Sequence, residues 1–356
     1  MIKYLGSKRR LVPVLGELLS RSGAETAVDL FTGTTRVAQE FKRRRAEVWA
    51  LDSARYSGVL AECYVATDAR LVDEGELAGA LRHLDALPGQ AGYVTETFCR
   101  RSRFFQPFNG ERIDAIRDEI ELEFRSSSLY PVLLTSLMEA ADRVDSTTGV
   151  QMAYLKEWAP RSFAPLRLRK PELLPGPGHA VVGDALSLAG TLPEVDLAYL
   201  DPPYNQHRYF TNYHIWETLI AWDRPEHYGI ACKRVDARAT HTRSPFNSRR
   251  SIAQALAQVI RAVKARVAIV SISDESWLSL RELVEMCAPR GSVEVLTFDS
   301  RRYVGAQIGI FDPRGRPVGR VSHLRNQEHL VVSGHPGDVR EIVGAAVITT
   351  PAPASV

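Results

Sequence analysis

Asp201-Pro202-Pro203-Tyr204 follows the apolar run Val195-Asp196-Leu197-Ala198-Tyr199-Leu200 without a break. These residue types suit one reaction, the attack of a planar exocyclic amine on a sulfonium methyl group. Such an amine is a poor nucleophile because its lone pair delocalises into the ring. Hydrogen-bond acceptors must draw its protons and favour a tetrahedral nitrogen. Asp201 can supply a carboxylate oxygen and Pro202 a backbone carbonyl. Consecutive prolines hold φ and remove N–H donors, so the turn offers acceptors in a rigid geometry. Tyr204 adds a flat face on which an extruded base can stack. The methyl group then passes in line to nitrogen, positioning supplies much of the rate, and no metal is called for. A plain strand-to-turn break would also explain two prolines after an aspartate; the groups at the other strand ends argue against it.

Ala27-Val28-Asp29-Leu30-Phe31 reads as a short buried strand that runs into Phe31-Thr32-Gly33-Thr34 and then a helix. Glycine lets a backbone approach a ligand closely, so this turn can cradle the amino-acid end of S-adenosyl-L-methionine, with Asp29, Phe31, Thr32, Gly33 and Thr34 as candidate contacts. Asp52 closes the next strand, Glu47–Leu51, about twenty residues on, where an acidic side chain suits a ribose diol. Asp184 ends the strand Ala180–Gly183 and could accept from the adenine amino group of the same cofactor. For Asp52 and Asp184 a helix N-cap is the plainer reading. Ligands of doubly wound sheets bind outside the carboxyl ends of the strands, and four strand ends here carry such groups.

The elements that must position these residues alternate. A helical stripe (9–20), strand, helix and strand fill the first fifty residues, a βαβ unit of a parallel sheet. Residues 55–175 change character, with helical patterns at 55–67, 76–87, 111–124 and 129–144. The αβ rhythm then resumes, with a helix at 251–264, the strand Val267–Ile272 and a helix at 275–287. Residues 291–334 read as hairpin material with turns at Pro313-Arg314-Gly315 and Arg316-Pro317. The expected fold is therefore α/β, a Rossmann-like doubly wound, mostly parallel sheet with an antiparallel terminal hairpin. Residues 1–54 and 178–335 would form the cofactor-binding catalytic domain, 55–177 an inserted, mainly helical lobe, and 336–356 a partly disordered tail.

Composition leaves few classes open. The 356 residues are 45% hydrophobic, enough for one large core, and the net charge of +3 permits a nucleic-acid partner without demanding one. The four cysteines lie far apart with no CxxC, so neither a zinc framework nor a disulfide scaffold is expected. No signal peptide and no membrane-spanning run is seen, which points to a cytoplasmic protein. Arginines cluster, and their forked guanidinium groups suit phosphates and guanine edges. The segment from 223 to 250 reads as a long, polar, mobile loop whose Lys233, Arg234, Arg238, Arg243, Arg249 and Arg250 make a candidate phosphate track. In the helical lobe Arg100, Arg101, Arg103, Arg161, Arg167, Arg169 and Lys170 lie among Phe104, Phe105, Phe108 and Trp158. Core packing is the favoured reading of those aromatics. His207 and His214 receive no role.

The chain resembles the Dam-like class of adenine-N6-specific DNA methyltransferases, particularly the modification methylases of restriction–modification systems. Asp201–Tyr204 matches the family's [DNS]-P-P-[YFW] signature. Lys3-Tyr4-Leu5-Gly6-Ser7-Lys8 matches its N-terminal K-[WY]-x-G-[GS]-K segment, and Phe31-Thr32-Gly33 its F-x-G-x-G, with Thr35 in place of the second glycine. The stretch Asn205–His214, the Val267–Ser273 strand and Arg301-Arg302-Tyr303 match weaker motifs. The resemblance implies that Tyr4, Gly6 and Lys8 close over the methionine of S-adenosyl-L-methionine. It also implies that the helical lobe recognises a target in double-stranded DNA and that a flipped adenine is methylated at N6. A cognate restriction nuclease or other defence component would accompany it, and a monomer is expected. Two alternatives stand beside this reading: a methyltransferase acting on RNA or another amino group with the same chemistry, and a catalytically silent DNA-binding subunit.

Overall fold

Among the described residues, the main sheet has seven strands, which form where apolar or β-branched runs end in turn residues. They are β1 (Thr26–Leu30), β2 (Glu47–Asp52), β3 (Gly178–Val182), β4 (Val195–Leu200), β5 (Ala265–Ser273), β6 (Ser292–Arg301) and β7 (Arg325–Gly334). In the computed structural model their order is β3-β2-β1-β4-β5-β7-β6. The structure describes residues 2–6, 8–301, 310–311, 317–319 and 325–344. β1 pairs with β4, β4 with β5 and β2 with β3, all parallel, whereas β7 runs antiparallel to both β5 and β6. This is the mostly parallel, Rossmann-like sheet with a terminal antiparallel pair that the sequence leads one to expect. The expected turns at 313–316, the residues Arg302 and Tyr303, and the tail from 345 onward lie outside the described residues.

The chain divides into two compact units. One comprises residues 5–31, 184–206 and 245–356. Its central strands are buried on both faces and read as continuous apolar runs: Leu197–Leu200 in β4 and Val267–Val270 in β5 are all within 1% of full burial. The helix Val12–Arg21 turns Leu15, Leu18 and Leu19 inward and begins with Pro13, whose missing N–H costs nothing in a first turn. The expected helix 275–287 starts later, at Leu280, where Ser279 and Glu282 form a reciprocal capping box. Residues 274–278 instead make a turn, and that turn meets Tyr204.

The other unit comprises residues 1–4, 32–183 and 207–244. The four expected lobe helices are present as Arg55–Ala61 (extended by a wider turn, Glu62–Ala66), Glu74–Ala86, Pro107–Glu123 and Tyr130–Arg143. Tyr130–Arg143 is the buried centre, with every residue from Val132 to Asp142 out of solvent. Lys42 donates to the carbonyls of Val65 and Thr67 and so closes the wide turn, and burial lowers its ammonium to about 8. Arg117, buried and donating to the carbonyls of Leu219 and Ile220, ties Pro107–Glu123 to the end of the helix His214–Ala221. Segment 223–250 is more structured than a long mobile loop. Strands His227–Tyr228 and Lys233–Arg234 pair antiparallel, and short helical turns follow at Val235–Arg238, Thr240–Thr242 and Pro245–Asn247. Internal ion pairs explain the difference, since charges that pair within a segment order it although they read as solvated in the sequence.

Candidate active site

In the first-described unit, β4 delivers Asp201 to its carboxyl end, and the backbone N–H of Asp201 continues the sheet by donating to Leu30 at 3.4 Å. Pro202 and Pro203 then turn the chain. Two contacts hold the turn: the N–H of Trp277 donates to the Tyr204 carbonyl at 3.1 Å, and Asn247 Nδ2 donates to the Asn205 carbonyl at 2.8 Å. The late segments 245–247 and 274–278 thus fix the turn that follows Asp201. Lys8 is buried beside it. Its ammonium lies 3.3 Å from Asp201 Oδ1, 2.9 Å from Glu328 Oε2 and 5.7 Å from the centre of the Tyr204 ring.

Burial raises the Asp201 carboxyl to about 6, with the Lys8 charge opposing and that of Glu328 adding. Burial alone would lower the Lys8 ammonium, but Asp201, Tyr204 and Glu328 reverse this and hold it well above its usual range. Tyr204 is pushed up to about 12, chiefly by burial. At neutral pH the site therefore holds a carboxylate acceptor, an ammonium and a neutral phenol. The resemblance puts Lys8 at the cofactor's methionine; here its ammonium sits beside the Asp201 carboxylate. Glu328, halfway along β7, is invisible to sequence reasoning, because a lone glutamate in a strand otherwise reads as a solvent-facing position.

The same unit carries Gly6, Asp29, Phe31 and Asp184. Gly6 takes a left-handed turn at φ 75°, and Asp29 is buried in β1. Phe31 also takes a positive φ, 67°, and meets Phe246 edge-on at 4.9 Å. Asp184 is exposed and caps the short helix Ala185–Leu188 by accepting from the N–H of Leu186, the plainer of its two readings.

The other unit carries Tyr4, Thr32, Gly33, Thr34 and Asp52. The N–H of Thr32 donates to Leu51, and that of Gly33 to Asp52 Oδ2 at 2.9 Å, while Asp52 Oδ1 accepts from Ala54. Asp52 therefore braces the glycine turn and the residue that leads into the helix Arg55–Ala61, and burial raises its carboxyl. Gly33 adopts φ +54°, and a Cβ there would stand 3.1 Å from the Tyr4 ring. Tyr4 stacks on Tyr213 at 4.8 Å and Tyr209 at 5.2 Å. Lys3 anchors this segment between Asp142 Oδ2, at 3.0 Å, and Asp145 Oδ1, at 3.1 Å. Thr35, in place of the family's second glycine, still takes the left-handed conformation, φ 60°; its hydroxyl donates to Thr34 and accepts from Gln39. The loop keeps a glycine-like path, at a cost of about 1 kcal/mol.

The expected DNA contacts fare unevenly. Arg234 requires correction: its guanidinium is 7% exposed and clamped by Asp223 and Asp236, at 2.6 and 2.7 Å. It therefore braces its own segment and has no face for phosphate. Arg161 is likewise held by Asp145. Arg243, Arg249, Arg250 and Arg169 are exposed. Arg167 and Lys170 are exposed but paired with Asp85 and Glu74, weak surface contacts that DNA could displace. Phe104 and Phe105 are core residues, Phe108 is exposed, and Trp158 lies under Arg103. His214 is buried against the Gln151 carbonyl, and burial lowers its imidazole to about 3, so it stays neutral.

Comparison with known proteins agrees with this geometry. Type II methyltransferase M.NlaIII of Neisseria lactamica is 29% identical over 318 residues, which cover 85% of this chain and 92% of that protein. Type II methyltransferase M.CviAII of Paramecium bursaria Chlorella virus 1 is similar to the same extent. Type II methyltransferase M.FokI of Planomicrobium okeanokoites is 27% identical over 82% of this chain, but the match spans only 48% of that longer protein. A family model for D12 class N6 adenine-specific DNA methyltransferases matches residues 4–286, from the aromatic that packs on the glycine turn through the catalytic motif and past the last parallel strand. The chain belongs to that family, and its reaction is methylation of adenine N6 in DNA with S-adenosyl-L-methionine as methyl donor.

Proposed function

We propose that Asp201 and the Pro202 carbonyl accept the two N6 protons of a flipped adenine stacked on Tyr204. The observation that carries this is the half-buried Asp201 carboxylate at the end of β4, on a proline turn pinned by Trp277 and Asn247. Drawing the N6 protons localises the nitrogen lone pair and brings it in line with the methyl group. Once N6 carries the methyl, its surplus proton leaves toward Asp201.

Tyr4, Thr32, Gly33, Thr34 and Asp52 would hold the donor. The glycine turn fits this role, since Gly33 leaves a backbone cradle that a Cβ would fill against Tyr4, and Asp52 places carboxyl oxygens beside it. S-adenosyl-L-methionine supplies the electrophilic methyl there. Gly6 and Asp29 join these residues by resemblance. The helices between residues 55 and 177 would recognise the target, with Arg243, Arg249 and Arg250 gripping phosphates on either side of a distorted duplex.

The protein would act as a monomer, as the modification partner of a restriction nuclease, by analogy with the Type II enzymes it resembles. Tritiated S-adenosyl-L-methionine, incubated with the protein and unmethylated genomic DNA and followed by nucleoside chromatography, tests the reading. Label in N6-methyl-deoxyadenosine is expected. Label in deoxycytidine, or in RNA alone in a parallel tube, would overturn it.

A further inference from the structure

The Lys8 ammonium lies between two carboxylates and sits nearer to Glu328 than to Asp201, 2.9 Å against 3.3 Å. All three side chains are largely withdrawn from water, at 6, 16 and 19% exposure for Lys8, Glu328 and Asp201. One cation is thus shared by two anions in a medium where charge interactions are strong. Glu328 reaches this place from β7, opposite Ser273 of β5 and Phe298 of β6. Ser273 in turn hydrogen-bonds the Tyr204 side chain.

The arrangement bears directly on the proposed acceptor. An ammonium held by Asp201 alone would take an oxygen lone pair and withdraw charge from the carboxylate that must draw the amine's protons. A second carboxylate divides that demand. A buried ion pair is also weak as a stabilising device, since apolar residues of equal volume often do as well.

We propose that Glu328 is a positioning residue for methyl transfer: by holding the Lys8 ammonium it keeps the Asp201 carboxylate available to the target amine. This rests on the role proposed for Asp201. The ionisable groups facing that carboxylate are Lys8, Glu328, Tyr199 and Tyr204.

Glu328→Gln keeps the shape and an oxygen acceptor for Lys8 but removes the charge. Its kcat should fall about tenfold, with KM for DNA and for S-adenosyl-L-methionine within about twofold. The acidic limb of its kcat–pH profile should move to lower pH, because Lys8 then falls wholly to Asp201. Glu328→Asp, which retains the charge, should keep the limb closer to the wild-type position. A loss confined to KM, or a limb that does not move, overturns the proposal. Should Glu328→Gln not fold, Lys8→Met and the double variant Lys8→Met/Glu328→Gln carry the test, since the double variant leaves Asp201 as the one charge of the three and so removes the repulsion between two carboxylates. Because Glu328 acts through Lys8, adding Glu328→Gln to Lys8→Met should cost little further kcat; a further loss of about tenfold overturns the proposal. Asp201→Ala is measured alongside. If it stays active, the acceptor reading itself fails. If it is inactive while the Glu328→Gln limb stays in place, only the role of Glu328 is lost.

Discussion

At the scale of single residues, the proposed chemistry depends on the charge state of Asp201. Its carboxyl is raised to about 6, first by burial, so the acceptor form is lost as pH falls through that value. The methylation rate under single-turnover conditions should therefore decline below about pH 6, and a rate flat down to pH 5 would contradict an ionised acceptor. Asp201→Ala should lower that rate by about a thousandfold or more while calorimetry shows S-adenosyl-L-methionine binding largely intact. Gly33 makes the complementary case for the cofactor. In Gly33→Ala the new methyl would meet the Tyr4 ring at 3.1 Å in a conformation that L residues resist. Cofactor affinity should fall about tenfold, roughly 1.4 kcal/mol, with kcat at saturation much less affected; unchanged affinity would remove the glycine turn from the cofactor site.

Elements bring other ionisable groups into positions that the reaction does not use. Glu217, on the helix His214–Ala221, is 3% exposed, and its carboxylate accepts from the backbone of Arg55 and Tyr56 at the start of the helix Arg55–Ala61. It serves as a helix cap supplied from a distant part of the chain. Burial raises its carboxyl above the usual range, to about 7. A carboxyl raised in the folded state contributes stability that is present below its unfolded value and is lost as pH rises through its folded one. Glu217→Gln keeps an acceptor without that penalty. It should be more stable than the parent at pH 8 by about 3 kcal/mol and about equal to it near pH 4.5, as read by urea unfolding. Equal stability at both pH values would show that Glu217 is not raised.

For the molecule as a whole, binding to DNA is governed by exposed cations, because phosphate contacts release counterions. Arg249→Ala with Arg250→Ala should weaken binding across sequences and reduce the slope of log affinity against log salt by about 2. Fluorescence anisotropy over a salt series measures this, and an unchanged slope would take these residues out of the footprint. Arg234→Ala is the contrast. Its guanidinium is committed to Asp223 and Asp236, so its removal should cost about 1–2 kcal/mol of stability and leave the salt slope alone. Among the described residues, no helix is long and apolar enough to cross a membrane.

Much of the fold is readable in the chain itself. Periodicity locates β1, β2, β4 and β5 within a residue or two, because strands buried on both faces must be continuous apolar runs and parallel ones must alternate with helices. The proline turn after Asp201 and the glycine turn are legible for a similar reason: proline and glycine restrict or free the backbone locally, so the need for them shows at their own positions. Partnerships between distant side chains are not legible. The sequence shows Arg234 as one basic residue in a basic segment, and only the fold encloses it between Asp223 and Asp236. Asp184 offers a cofactor contact and a cap equally, and the fold shows it capping. Lys8, Asp201 and Glu328 lie in three separate stretches of chain, and neither composition nor spacing relates them. Burial and ion pairing arise from which surfaces meet, and that is decided only when β4, β5 and β7 assemble into one sheet.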